Sequence, residues 1–316
     1  MHINVRYKAY LMLFIAFLAQ NVAVGFSFGS IGLLIEPLSR ELNAKVALIS
    51  LSVALVALIA SASSPVVGML LDRWSLRATM AIGCVLCAAG YYCAAHSHSI
   101  AMYLGSFAGV GLGFAMMGVI PANKIANIWF PHQRGLAAGI VNIAALPALG
   151  PLLFQHAISA YGWRAMLEGF ALINLGFVLI VWLIERPRDD ASTESTPTAE
   201  AIAATSPFKT ALFWKLLFAK GLLLGSGVTA ITYLAPFALT QGLTPERAAQ
   251  LLSIEGSVAL FGALVFGWLC DRLSPFLVLG INAISIALLW ATIVHFADFN
   301  SLALLSAGIG LCAAGV

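Results

Sequence analysis

The sequence predicts an all-α membrane protein of two parallel six-helix repeats, the second incomplete, with about ten helices present. Three observations carry that prediction. Of 316 residues, 61% are hydrophobic and only 9% are charged, whereas soluble domains use about 25% charged residues. Apolar runs of about 20 residues, enough to cross a ~30 Å hydrocarbon layer, recur along the chain. A glycine–aspartate–arginine motif returns after an offset of 199 residues. Other classes are excluded by the same reading. A net charge of +3 without a basic stripe does not suit a nucleic-acid binder. Neither a Walker loop nor H-E-x-x-H occurs, and no enzyme, cofactor or metal is expected.

In chain order, apolar runs predict helices over 10–35, 46–71, 78–95, 100–128, 135–160, 165–184, 212–239, 248–270 and 276–296, with a tenth starting near Leu302. The first run is too long for a signal peptide and lacks an A-x-A site. Residues 186–207 are rich in Ser, Thr and Pro, a composition that does not fold on its own. They are expected to be a cytoplasmic linker between an N-terminal bundle (1–185) and an incomplete C-terminal one (208–316). With the N-terminus in the cytoplasm, 11 of the 16 Lys and Arg fall on the cytoplasmic side and four outside, which fixes the expected orientation. All five cysteines lie in apolar runs. Cys84 and Cys87 have C-x-x-C spacing, but a redox pair needs a solvated, electropositive setting, so they are read as helix-packing or lipid-facing residues.

Gly68-x-x-x-Asp72-Arg73-x-Ser75 recurs as Gly267-x-x-x-Asp271-Arg272-x-Ser274. Without a gap, the same offset maps Pro37 onto Pro236 and the run 108–112 (AGVGL) onto 307–311 (AGIGL). Three helix pairs therefore share one register. It sets the counterpart of Glu185 at 384, about 68 residues beyond Val316, so the sequence is expected to be a piece of a chain of roughly 400 residues.

The doubled loop, GMLLDRWSLR and GWLCDRLSPF, resembles the major facilitator superfamily, whose pattern is G-x-x-x-D-R-x-G-R-R. This sequence departs from it at Ser75, Leu76, Ser274, Pro275 and Phe276. Trp129-Phe130-x-x-x-Arg134-x-Leu136-Ala137-x-Gly139 and Tyr161-Gly162-Trp163-Arg164 resemble the monocarboxylate-transporter and oxalate/formate-antiporter branch. There too the sequence departs, with His132 and Gln133 in a weakened basic cluster. Ala259 and Ala263 stand where the eukaryotic carriers place Asp and Arg. The resemblance implies a monomeric secondary transporter of a bacterial inner membrane, moving a small organic anion by alternating access with proton symport or exchange. Efflux of amphipathic compounds and a transport-dead sensor are the alternatives. It also implies a cytoplasmic gating motif of Gly68, Asp72, Arg73, Arg77, Gly267, Asp271 and Arg272, with Asp271 near Arg134 and Gly135. The partner of Asp72 is expected in an eleventh helix beyond Val316. The motif glycines are expected to let helices approach closely.

Candidate substrate or proton residues follow from polarity inside apolar spans. Glu255, 16 residues or about 24 Å before Asp271, is the one acid deep in a span. A carboxyl there needs a cavity or a partner, so it is read either as a proton-coupling group, as an interhelical hydrogen bond, or as an outer-vestibule residue. Lys124, five residues before Trp129 and flanked by Asn123 and Asn127, either pairs with a substrate carboxylate or snorkels to the cytoplasm. Asn21, Asn142, Thr229, Thr232 and Tyr233 lie at depths where carriers bind substrate, or bond between helices. Arg164 and Glu168 read as an i, i+4 ion pair. His96 and His98 make no metal site by themselves, and nothing selects His156. The pairs Gly25/Gly29, Gly105/Gly109, Gly109/Gly113 and Gly135/Gly139 are read as packing devices. Pro65, Pro121, Pro147, Pro151 and Pro236 are read as helix interruptions.

Overall fold

A computed structural model describes residues 2–131, 133–185 and 210–313. The expected linker, 186–207, lies outside them. The described residues form twelve helical segments and no strand. α1 (His2–Ser27) and α2 (Ile31–Glu41) make one rod interrupted at 28–30. α3 (Val46–Arg73) and α4 (Leu76–Ala95) follow. α5 (Ile100–Met117) and α6 (Val119–Trp129) are split at Gly118, and α7 (Arg134–Val141) and α8 (Ala145–Val181) at 142–144. α9 (Ala211–Thr240), α10 (Pro245–Arg272), α11 (Pro275–Ile293) and α12 (Phe299–Ala313) complete the described chain.

The breaks have local causes. Pro121 and Pro147 each fall in the first turn after a break, where a missing N–H costs nothing because that donor has no partner in the helix. Pro65, Pro151 and Pro236 are inside continuous helices instead.

The expected count of about ten helices is corrected to nine helical runs among the described residues, one of which bends back on itself. The helices expected over 135–160 and 165–184 follow one another without a loop, because Gly162 alone leaves the helical backbone between them. Its φ of 86° is a left-handed value that glycine adopts without a Cβ penalty. The chain nevertheless folds back there. The Phe154 and Phe170 rings are 4.9 Å apart, whereas 16 residues of straight helix would separate them by about 24 Å. Seven helices among the described residues are long and apolar enough to cross a membrane, and α12 is apolar but shorter.

The internal repeat reappears as repeated contacts. Ser27 Oγ and Tyr91 Oη are hydrogen-bonded at 2.9 Å. At both positions advanced by 199, Trp290 Nε1 donates to Ser226 Oγ at 2.8 Å. Ser99 accepts the N–H of Met102 and Asp298 that of Ser301, the same helix cap in both parts. Asp298 stands outside the spans, and the Ser301 backbone amide, helped by the Ser301 side chain, holds its carboxyl below the ordinary range. A Cβ on Gly111 would press on the Val56 backbone, and one on Gly310 would overlap the carbonyl of Glu255. Gly32 abuts the carbonyl of Ile231, its own counterpart at the same offset, so the first rod and α9 cross at equivalent positions.

Packing is uneven along the bundle axis. At the end that carries Glu41 and Arg164, Ala230, Leu234, Ala238, Ala249 and Leu252 join the core of the N-terminal part. Toward the opposite, basic end, Leu223, Phe266, Val278, Ile286 and Cys312 form a separate core. The two parts thus share one core at the Glu41 end and keep separate ones at the basic end.

Candidate functional site

Broken helices converge on residues 20–23 of α1. Ala23 lies 3.3 Å from where a Cβ on Gly118 would stand, so the break between α5 and α6 abuts α1 there. The break between α7 and α8 is held two residues earlier. Asn21 Nδ2 donates to Ile143 O at 2.9 Å and to Phe17 O at 3.0 Å, and its Oδ1 accepts the N–H of Leu146 at 2.8 Å. A buried amide thereby replaces hydrogen bonds that the interrupted helix cannot make.

Beside it runs a chain of amides. Gln20 Nε2 donates to Asn142 Oδ1 at 3.3 Å, and Asn142 Nδ2 donates to Asn123 Oδ1 at 2.9 Å. Backbone carbonyls fix the orientation of each group. Asn142 also donates to Ala138 O at 2.8 Å and Asn123 to Val119 O at 3.0 Å, and a carbonyl only accepts. Asn142 Oδ1 is therefore an acceptor, Gln20 Nε2 a donor, and Gln20 Oε1 is left as a buried acceptor without a donor among the described residues. Asn142 is exposed and Asn123 half-buried.

One residue beyond Asn123, Lys124 Nζ donates to Asp72 Oδ1 at 2.6 Å and to Leu71 O at 2.8 Å. The lysine of α6 is thus joined to the loop motif at the end of α3. Sequence reading expected the partner of Asp72 in another helix and had no signal for this pairing, since 52 residues separate the two. Gln20 was missed as well, although a Gln–Asn pair in an apolar run was its available signal.

The remaining candidates lie apart. Glu255 is only 4% exposed, with its backbone against Gly310, and Gly256 packs on Pro147 and Ala148 of α8. The residue therefore stands where α10 passes between α12 and α8. Tyr233 lines an apolar groove of about 340 Å³ with Val46, Pro236 and Trp290, away from the amide chain. Thr229 and Thr232 bond back to Gly225 O and Val228 O of their own helix rather than between helices.

Arg77 donates from Nε to Ile184 O, and Lys8 pairs with Glu185 at 2.7 Å, tying α1 and α4 to the end of the α8 rod. Arg73 and Arg272 are exposed at the ends of α3 and α10. Of Arg134, Gly267 and Asp271 only the helical backbone is described.

Some expectations need correction. Arg164 pairs with Glu41 at 2.8 Å, not with Glu168, because Trp163 also donates to Glu41 and draws both side chains to the end of α2. Glu168 faces His96 at 3.6 Å instead. Gly68, Gly105, Gly109 and Gly139 are not close-approach sites, since a Cβ at each would meet nothing within 4 Å. By contrast, Gly25 abuts Leu146, and Gly113 abuts Cys87 and the carbonyl of Gly83. Residues 25–29 (GFSFG) also have the G-x-S-x-G spacing of hydrolase nucleophiles, but Ser27 is fully buried at the end of α1 and bonded to Tyr91.

The sequence profile of the Major Facilitator Superfamily matches residues 11–316. Monocarboxylate transporter 11 of Mus musculus is 28% identical over 257 residues, covering 78% of this chain and 57% of that protein. The oxalate:formate antiporter of Oxalobacter formigenes is 28% identical over 290 residues, covering 86% of this chain and 66% of that protein. The chain thus spans between about half and two thirds of the length of these curated relatives, which are transporters and not enzymes. A crystal structure of a bacterial homolog of the human lysosomal transporter Spinster, inward-facing and unoccupied, superposes with a TM-score of 0.81 at 18% identity. It covers 98% of this chain and 73% of that one. At that identity the likeness concerns the fold alone.

Proposed function

The chain belongs to the Major Facilitator Superfamily and is an integral membrane protein, and from that premise we propose that it is a secondary active transporter of a small, monocarboxylate-like organic anion. It works by alternating access, coupled to protons or to exchange of a second anion. The membrane is a bacterial inner membrane, the N-terminus and the basic end face the cytoplasm, and the carrier is a monomer. The 1–185 and 208–316 bundles rock about the shared core, joined by the 186–207 linker.

The observation that carries this reading is the amide chain of Gln20, Asn142 and Asn123 running up to Lys124. Amides at membrane depth are costly against lipid, broken helices are where transporters gather such groups, and the Lys124 ammonium stands at the end of this chain beside Asp72. A lysine there favours an anionic cargo, in keeping with what the two named relatives carry. The separate cores at the basic end support a cleft that opens on that side. Glu255, buried between α8, α10 and α12, is the proton-coupling group of this reading. Asp271 with Arg134 and Gly135 forms the latch that holds the basic end closed in the other state.

Lightly buffered cells expressing the protein test the proposal with a panel of small carboxylic acids, external pH being followed against empty-vector cells. Alkalinisation with at least one acid is expected for proton symport. Counterflow of a preloaded labelled carboxylate is expected for exchange, and neither signal with any acid sinks the anion reading. Lys124→Gln is expected to weaken apparent affinity roughly tenfold or more, as loss of a charge-assisted hydrogen bond does. Glu255→Gln is expected to abolish accumulation driven by a pH gradient. Unchanged accumulation removes Glu255 from the coupling role.

A further inference from the structure

The binding role given to Lys124 meets a complication, because its ammonium already holds a carboxylate. Nζ donates to Asp72 Oδ1 at 2.6 Å and to the carbonyl of Leu71 at 2.8 Å. We infer that Asp72 is an internal stand-in for the cargo: its carboxylate occupies the Lys124 ammonium when the site is empty, and a substrate carboxylate displaces it. This inference rests on the anion-carrier reading above.

Two features of the pair make exchange feasible. The first is exposure. The Asp72 side chain is 77% exposed and that of Lys124 is 30% exposed. A pair so open to water is weakly held, since solvent competes for both charges and side-chain freedom is lost on pairing. A released Asp72 is solvated at once, whereas breaking a buried pair would strand an unpaired charge. The second is the carbonyl of Leu71. An ammonium has three donors, so one can stay on Leu71 and hold the head group at the end of α3, while the donor given up by Asp72 and the third one receive the newcomer.

Two neighbouring charged groups already have partners of their own. Among the described residues, the other acid at this end that is ion-paired, Glu185, is held by Lys8, and Arg77 is turned to the carbonyl of Ile184. Asn123 is bonded to Asn142 and, through it, linked to Gln20. α6 is therefore tied to α1 and to the end of α7, so the lysine stays in place and the Asp72 side chain is the part that moves. Cargo binding then frees the loop carboxylate at the end of α3, which ties occupancy of the site to release of the gating motif.

The test is titration of the purified chain in nanodiscs with acetate and with oxalate, read by intrinsic tryptophan fluorescence, with sodium chloride at matched ionic strength as the control. Trp74 and Trp129 lie two and five residues from the pair. Asp72→Asn is expected to bind carboxylate about two- to fivefold more tightly, the range over which an exposed ion pair competes. Asp72→Glu is expected to return affinity toward the wild-type value, and Lys124→Gln to weaken binding whether or not Asp72 is also replaced. Glu185→Gln removes the same charge from the same end and is expected to leave affinity unchanged. Three results overturn the inference while the carrier reading stands: unchanged or weakened binding by Asp72→Asn, an equal gain from Glu185→Gln, or a gain that persists undiminished in Lys124→Gln. If the wild-type chain shows no saturable carboxylate binding, the carrier reading falls and this inference with it.

Discussion

Ser27 and Tyr91 are both fully buried and share one hydrogen bond, so each is the other's means of leaving water. Removing one partner strands the other. Ser27→Ala is expected to lower stability by about 1–3 kcal/mol, the cost of a buried polar group left unsatisfied. Ser27→Ala with Tyr91→Phe should cost less than the two single changes summed, because the double variant leaves nothing unpaired. Thermal unfolding in detergent checks both outcomes, and strict additivity would mean that the two groups do not depend on one another. None of this was legible in the sequence. A serine and a tyrosine 64 positions apart carry no mark of contact until α1 and α4 are packed together. The Lys124–Asp72 pair was hidden for the same reason. Each residue was singled out by its chemistry, one as an ammonium in an apolar span and the other as part of a doubled motif, but only three-dimensional proximity joins them.

Helix breaks and helix crossings belong to the next scale. Asn21 alone bridges α1 to both sides of the interruption at 142–144, with two donated bonds and one accepted. Asn21→Leu, which keeps the branching and heavy-atom count, should destabilise the chain by several kcal/mol, since two groups of the broken backbone lose their partners inside the bundle. Asn21→Ser should recover part of that loss. Equal stability of Asn21→Leu and wild type in thermal unfolding would show that the break does not depend on this amide. The glycines divide just as clearly. Gly310→Ala forces α12 off the carbonyl of Glu255 and is expected to cost about 1–3 kcal/mol by overpacking, while Gly109→Ala meets open space and should be silent. Helix positions were readable because runs of apolar residues long enough to span a bilayer are a one-dimensional signal. Which glycines touch a neighbour was not, because a G-x-x-x-G spacing describes one helix face and says nothing of what faces it. Gly162 shows the same limit. Its motif was noticed, yet whether it ends a helix or turns one back is decided by a single φ.

For the whole molecule, Gly68 is the informative position. It is conformationally unremarkable and uncovered at the basic end, where the two parts keep separate cores. In the alternating-access reading, that face is covered when the basic end closes. Gly68→Leu should therefore fold normally and stop turnover by blocking closure, seen as loss of carboxylate-dependent pH change with unaltered thermal unfolding. Full turnover in Gly68→Leu would exclude a close approach there in any state. Cysteines at 135 and 271 should crosslink in the closed state, and failure to crosslink under every condition would remove the proposed latch.

The sequence by itself determined the class of molecule, the recurrence of apolar helices long enough to span a bilayer, and its internal duplication, because hydrophobic length and an ungapped offset of 199 are properties of the chain read in one dimension. Tertiary structure alone decided that Gly32 meets its own counterpart at Ile231, that Glu255 is buried where three helices join, and that Lys124 reaches Asp72. Those facts depend on how helices of similar apolar surface choose their neighbours, and inside a membrane that choice rests on close backbone approach and a few polar contacts rather than on hydrophobicity.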